Sequence, residues 1–429
     1  MPAERTPAAG PTLAVLFLVN VLNFYDRQAL GAVLEPVRHE FRLSDTQLGA
    51  LTTIFTVIYA VAGLPLGRLA DRWSRRRLLA LGVTAWAGLT GLGGLAASYA
   101  MLMVTRLGVG IGEAVCAPAA TSWIGDVVPA NRRARAMAGF MMAVPVGGML
   151  SFAVTGPVAQ AQGWRAALAL AALPAAALAP LVLWLREPAR VAGAAAQPVA
   201  APLALLRIPA LWWMAASGAI VNFALYTFST FLPAFLTRFH GLSVAQSGLW
   251  TGVGSGAAGM LGAVAAGVYG DRVFRRKANG RLLLAAAASL GAVPLSFAAI
   301  RLPAGRAAAA IPLVMAAYGL LQMYYGLVYS AILDIVPPSL RGTAMAAYFL
   351  VTYLGGASFG PLLTGMLSDH FARLAAGAMP LTETARAMGL HQAMYVIPVL
   401  ALALAGVLWA GARAMRVQAG NESAALSHS

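Results

Sequence analysis

Cysteine and charge are what this chain has least of. Cys116 is the single cysteine among 429 residues, so no intramolecular disulfide can form. Only 10% of the residues are charged and 60% are hydrophobic, against about 25% charged in soluble domains. A soluble fold could not cover itself with polar surface from that supply, so the composition is that of an integral membrane protein. The five histidines (His39, His240, His370, His391 and His428) fall in loops, near helix ends or in the tail, without metal-ligand spacing. No Ser/His/Asp, Cys/His or metal set lies at one depth, which argues against an enzyme and implies no cofactor. Alternating ten-residue strands are missing, so an outer-membrane barrel is excluded. A cleavable leader is not expected either: the apolar run from Leu13 continues through Asn20, Asn23 and Asp26-Arg27 without a small-x-small site. The net charge of +16 is carried by short basic clusters between apolar runs. That pattern is a topological signal rather than a nucleic-acid surface.

What is present is a series of long apolar runs, each near the 20 or so residues that span a bilayer as helix. Twelve spans are predicted, at roughly 12–37, 44–70, 77–97, 100–126, 134–159, 165–186, 209–237, 244–270, 281–300, 308–335, 342–368 and 388–412. The predicted fold is an all-α membrane protein with an N-terminal six-helix bundle (1–187), a linker (188–207), a C-terminal six-helix bundle (208–415) and a disordered tail (416–429). The linker reading rests on the run of Ala, Val, Gly and Pro from Pro188 to Pro202. Lys/Arg residues concentrate on the side of the loops after spans two and eight, so both termini are predicted to be cytoplasmic.

The two basic loops are copies of one another. Gly67-Arg68-Leu69-Ala70-Asp71-Arg72-Trp73-Ser74-Arg75-Arg76-Arg77 returns as Gly267-Val268-Tyr269-Gly270-Asp271-Arg272-Val273-Phe274-Arg275-Arg276-Lys277. Asp126-Val127-Val128-Pro129 with Arg133 returns as Asp334-Ile335-Val336-Pro337 with Arg341. Two repeats nearly in register mean that one half of the chain is a duplicate of the other.

A parallel six-plus-six duplication with Gly-x-x-x-Asp-Arg-x-x-Arg-Arg loops resembles the major facilitator superfamily, over residues 12–415. In that family the halves are related by an axis along the membrane normal. The resemblance implies that Gly67, Asp71, Arg72 and Arg76, with Gly267, Asp271 and Arg272, hold a cytoplasmic gate. Asp71 would meet the start of span eleven near Arg341, and Asp271 the start of span five near Arg133. A carboxylate at a helix start is electrostatically favoured.

Four charges do not sit at helix ends: Asp26, Arg27, Arg106 and Glu113. Asp26 lies about 20 Å along its span at 1.5 Å per residue. Arg106 and Glu113 are seven residues apart and share a helix face. Such charges are costly in hydrocarbon and mark function. A carboxylate in a partly dry cavity can load and release a proton, so Asp26 and Glu113 are the candidates for proton coupling. Arg27 and Arg106 are the candidates for holding an anionic head group.

Leu22-Asn23-Phe24-Tyr25-Asp26-Arg27, followed by Arg106-Leu107-Gly108-Val109-Gly110-Ile111-Gly112-Glu113-Ala114, resembles the Spinster branch of the superfamily. That resemblance implies transport of lysophospholipid-like or sphingosine-phosphate-like solutes, with Asp26 and Glu113 as the proton-coupling carboxylates.

Across the repeat, Glu113 corresponds to Leu321, Arg106 to Val314, Asp26 to Phe228 and Arg27 to Ser229. The second half therefore has aromatic and amide groups where the first has charge. Tyr226, Gln322, Tyr325 and Tyr329, with Tyr59 of span two, are the expected substrate contacts. The reading is a monomeric, proton-coupled, alternating-access transporter of an amphipathic lipid-like solute in a bacterial inner membrane. The alternative is a symporter or exporter of small organic anions or hydrophobic drugs.

Overall fold

Apolar length and alanine-rich composition favour helix throughout. The computed structural model describes residues 9–187, 205, 208–277, 279–337 and 340–426, and among these every regular element is helical. Among the described residues, eleven helices are long and apolar enough to cross a membrane. The expected third span is occupied by Arg75–Gly93, whose first turn carries three arginines and whose body carries glycine and threonine. It falls short of the same length-and-hydropathy standard.

The chain divides into two compact units. The first holds residues up to Ala194 together with Thr230–Thr237 and Leu242–Gly256. The second holds Ala195–Ser229, Arg238–Gly241 and Ala257–Ser429. Residues 188–204, most of the expected linker, lie outside the described residues.

In the first unit the helices are α1 (Ala9–Ala32), α2 (Leu34–Phe41), α3 (Asp45–Arg72), α4 (Arg75–Gly93), α5 (Tyr99–Glu113), α6 (Cys116–Val127), α7 (Ala130–Met141), α8 (Ala143–Gln162) and α9 (Trp164–Trp184). Their ends follow from local chemistry. Ser44 and Gln47 form a capping box at the start of α3, and Ser74 and Ser98 cap α4 and α5. Gly163 joins α8 to α9 at φ 87, a conformation that costs glycine little. Span five is broken at Met142. Pro145 lacks the N–H that the Met141 carbonyl would otherwise receive, and Asn20 Nδ2 donates across to the Phe140 carbonyl at 3.0 Å.

Small residues set the packing distances in this unit. A Cβ on Gly110 would lie 2.8 Å from the Phe55 carbonyl of α3, and one on Gly112 would lie 3.0 Å from the Trp86 amide of α4. Trp86 and Trp123 fill the interior, 1% and 0% exposed. Val244–Val253 (α11) packs on α8 within the same unit, where Gly248 meets Phe152 and Gly156.

Pro209–Arg238 (α10) contributes to both units. The second unit continues with α12 (Gly259–Phe274), α13 (Gly280–Arg301), α14 (Ala307–Ile335), α15 (Arg341–Thr352), α16 (Phe359–Ala376), α17 (Glu383–Ala393) and α18 (Val396–Leu426). A π-turn at Tyr353–Ala357 joins α15 to α16. The last helix runs to Leu426, through residues expected as a disordered tail; the Ala- and Glu-containing sequence there sustains helix.

Candidate functional site

The four intramembrane charges come together in the first unit as two cross-helix pairs. Arg27 Nε of α1 donates to Glu113 Oε2 of α5 at 2.9 Å, with side chains 5% and 0% exposed. Arg106 Nη1 of α5 stands 3.9 Å from Asp26 Oδ2 of α1, with side chains 2% and 3% exposed. The seven-residue spacing on α5 and the adjacency on α1 are what let each helix present one acid and one base to the other. Burial of such pairs stabilises a fold weakly at best, because desolvation offsets attraction.

The second pair is not in direct hydrogen-bond contact. Thr90 of α4 bridges it: its hydroxyl donates to Asp26 Oδ2 at 2.9 Å and accepts from Arg106 Nη2 at 3.1 Å. Asp26 Oδ1, Glu113 Oε1 and Arg106 Nε are buried with no hydrogen-bond partner among the described residues. The Asp26 and Glu113 carboxyls also interact with one another.

Aromatic rings enclose the Arg27 guanidinium. Its carbon lies 3.9 Å from the ring centroid of Tyr59, 4.7 Å from Phe24 and 5.6 Å from Phe55. A ring face stabilises a cation in a dry site. Tyr59, expected as a substrate contact, is thus brought to the charge set, and Phe24 and Phe55 join it.

At the motif end of the first unit, Arg75 is the centre. It is 1% exposed, donates to Asp126 Oδ2 at 2.5 Å and pairs with Glu187 Oε1 at 3.1 Å. Glu187 also accepts from the Ser74 hydroxyl at 2.5 Å and the Arg75 amide at 2.8 Å. Burial pushes the Glu187 carboxyl up, but those hydrogen bonds outweigh it and hold Glu187 below the usual carboxylate range. Arg76 reaches the Leu185 carbonyl at 3.4 Å, Arg133 the Gly125 carbonyl at 2.7 Å, and Arg72 is exposed. A Cβ on Gly67 would lie 3.9 Å from the Pro118 Cβ. The Asp71 side chain lies outside the described residues.

The second unit repeats this motif-end arrangement. Arg281, at the start of α13, donates to Asp334 Oδ2 at 2.5 Å and to Asp271 Oδ1 at 3.0 Å. Arg75–Asp126 and Arg281–Asp334 are therefore similar ties in the two units, although the loop register sets Arg75 against Arg275. Arg272 lies 5.9 Å from the Tyr269 ring, Arg341 donates to the Val336 carbonyl at 3.3 Å, and a Cβ on Gly267 would meet open space.

Higher in the second unit, Leu321, Val314 and Phe228 are buried where the first unit has charge. Tyr324 turns its hydroxyl onto Ser217 at 2.8 Å and Tyr348 at 2.9 Å. Tyr226, Gln322, Tyr325 and Tyr329 are only half-buried. Tyr325 donates to Asn222 Oδ1 at 3.2 Å, Gln322 Nε2 to the Tyr318 hydroxyl at 3.0 Å, and Gln322 Oε1 is buried without a partner among the described residues. Tyr325 and Tyr329 pack at 5.5 Å, and Tyr226 and Tyr353 at 6.2 Å.

Thr90, Phe24 and Glu187 escaped the sequence reading. A lone threonine in an apolar helix carries no periodic signal. Glu187 stands beside the Pro/Ala-rich segment, where a single acid reads as loop. Among the described residues no group of three or more His, Cys, Asp or Glu could hold a metal ion.

Helices apolar enough to cross a membrane, in two units with charge buried in one of them, are the layout of a membrane transporter. The sequence profile of the Major Facilitator Superfamily matches residues 16–361. An MFS-type efflux pump of Mycolicibacterium smegmatis is 32% identical, over 93% of this chain and 91% of its own. Protein spinster homolog 1 of Mus musculus is 30% identical, over 84% of this chain and 73% of its own. The crystal structure of a bacterial homologue of the human lysosomal transporter Spinster, inward-facing and unoccupied, superposes with a TM-score of 0.84 at 27% identity, covering 96% of this chain and 98% of that one. A D-xylose-proton symporter shares the fold, with a TM-score of 0.76 at 16% identity over 93% of this chain and 97% of its own. The chain belongs to the Major Facilitator Superfamily and is a bacterial Spinster-like transporter.

Proposed function

We propose that this chain is a proton-coupled secondary transporter of an amphipathic, anionic or zwitterionic lipid-like solute, acting as a monomer by alternating access in a bacterial inner membrane. The supporting observation is the Arg27–Glu113 pair at 2.9 Å, inside a ring of Tyr59, Phe24 and Phe55. While Glu113 is ionised it occupies the arginine. A proton on Glu113 cancels that attraction and frees Arg27 for a phosphate or carboxylate, which a guanidinium binds in bidentate fashion. Proton and solute are then linked through one side chain, and each shifts the populations of the transport states.

Asp26 and Arg106 form the second proton-sensitive pair, with Arg106 offered to an anion once Asp26 is neutral. Tyr226, Gln322, Tyr325 and Tyr329 provide an aromatic and amide surface suited to the less polar part of such a solute. Gly67, Asp71, Arg72, Arg76, Arg133, Asp271, Arg272 and Arg341 serve the cytoplasmic gate. The test is counterflow of fluorescent lysophosphatidylethanolamine in proteoliposomes. Flux that depends on protein and is lost in Arg27→Ala supports the reading, and its absence removes lysophospholipids as substrates.

The M. smegmatis relative named as an efflux pump favours a second reading, export of hydrophobic drugs. Competition between ethidium and lysophosphatidylethanolamine separates the two. Under the lipid reading the lysolipid displaces the dye; under the drug reading the dye moves and the lysolipid neither moves nor competes.

A further inference from the structure

Several helical hydroxyls among the described residues donate to a carbonyl of their own helix. Thr56 donates to the Thr52 carbonyl, Thr84 to Ala80, Thr121 to Ala117, Ser289 to Ala285 and Ser296 to Ala292, all between 2.7 and 2.9 Å. That i−4 bond is the default for Ser and Thr in a helix. Thr90 departs from it. Fully buried at 0% exposure, it aims its hydroxyl across to Asp26 and accepts from Arg106. Gly93, one turn along, brings α4 and α5 together here: a Cβ on it would lie 3.3 Å from Thr105 Oγ1 and 3.7 Å from Arg106 Nη2.

We propose that Thr90 is a positioning residue for proton coupling, a hydroxyl rotor that keeps Asp26 and Arg106 joined in both protonation states of Asp26. This rests on the proton-coupling reading above. A hydroxyl has one donor and two acceptor sites. With Asp26 ionised, Thr90 donates to Asp26 and accepts from Arg106, as the structure records. When Asp26 binds a proton, its O–H becomes the donor to Thr90 Oγ1. Thr90 then accepts from both neighbours, and its own proton turns to the Trp86 carbonyl, four residues back on α4. No bond between heavy atoms changes. The only net change is one proton on Asp26, and Arg106 remains in place with its charge no longer balanced. The direct Arg106–Asp26 separation of 3.9 Å is too long to do this unaided.

The other groups around Asp26 belong to the same set. They are Arg27 and Tyr25 on α1 and Glu113 and Arg106 on α5, with Cys116 of α6 within electrostatic reach of Arg27 and Glu113. Thr90 is the uncharged member that touches both partners of a pair.

The test is infrared difference titration of the carboxyl band in purified, detergent-solubilised full-length protein. It compares the wild type, Thr90→Ser, Thr90→Val, Asp26→Asn and the Asp26→Asn/Thr90→Val double variant. In Thr90→Val the O–H of protonated Asp26 loses its acceptor, so the protonated Asp26 carboxyl band should move to higher wavenumber. Thr90→Ser should restore its wild-type position, and Thr90→Val should add nothing once Asp26 is Asn. Thr90→Ala replaces Thr90→Val if the latter does not fold. An Asp26 band at the wild-type position in Thr90→Val overturns the rotor alone. A titration unchanged by Asp26→Asn overturns proton binding at Asp26 and the rotor with it.

Discussion

Arg27 Nε meets Glu113 Oε2 at 2.9 Å, across from α1 to α5, while the same guanidinium lies 3.9 Å from the Tyr59 ring centroid. One side chain is therefore held by an acid and by an aromatic face at once. Glu113→Gln removes the charge and keeps the shape. Loss of a charged hydrogen bond of about 1.5–3 kcal/mol corresponds to roughly tenfold or more. Glu113→Gln should weaken proton-driven lysophospholipid flux by about that factor and leave proton-independent counterflow largely intact. Parallel assays with and without a pH gradient check it.

Arg27→Lys keeps the charge but loses the planar fork and the stacking surface. Lysophosphatidylethanolamine should then stabilise the purified protein less in thermal unfolding, since a ligand raises apparent stability according to its affinity. Equal stabilisation of wild type and variant would remove Arg27 from head-group binding.

Gly110 sits where α5 crosses α3, opposite the Phe55 carbonyl and the Tyr59 amide. Gly110→Ala places a methyl 2.8 Å from that carbonyl, so the helices must separate. The expected cost is about 1–3 kcal/mol of stability, with a fall in transport because Tyr59 moves off Arg27. A melting curve and a counterflow assay on one preparation measure both.

The Glu187 tie predicts a pH dependence of stability. Its hydrogen bonds favour the carboxylate, so its folded-state value lies below the unfolded one. Stability from this source is present above the unfolded glutamate value of about 4.3. It fades as pH falls through the folded-state value. Glu187→Gln should therefore melt lower than wild type at neutral pH, and the difference should vanish in acid below that window. A constant difference across pH would assign the effect to packing instead.

The repeated Gly-x-x-x-Asp-Arg-x-x-Arg-Arg loops made the duplicated helical architecture legible, because a duplication repeats in sequence whatever it folds into. Asp26, Arg27, Arg106 and Glu113 were equally legible, because charge inside an apolar run is conspicuous. Which acid meets which base was not. Spacing placed Arg106 and Glu113 on one face, yet the pairs form between helices, and only the packing of α1, α4 and α5 chooses them. Thr90 was invisible for the same reason: its role depends on the crossing of α4 at Gly93. Arg75–Asp126 and Arg281–Asp334 were half visible. Their acids stood in the repeat, but their shared basic partners became evident only when the starts of α4 and α13 met the ends of α6 and α14.

The central claim is that proton and solute movements meet at Asp26 and Glu113. The most direct measurement is proton flux, read with a pH-sensitive dye inside proteoliposomes, while a lysophosphatidylethanolamine gradient drives the carrier. Wild-type protein should move protons with the lipid, and Asp26→Asn and Glu113→Gln should each move lipid with little or no proton signal. Normal lipid-driven proton flux in both variants would contradict it.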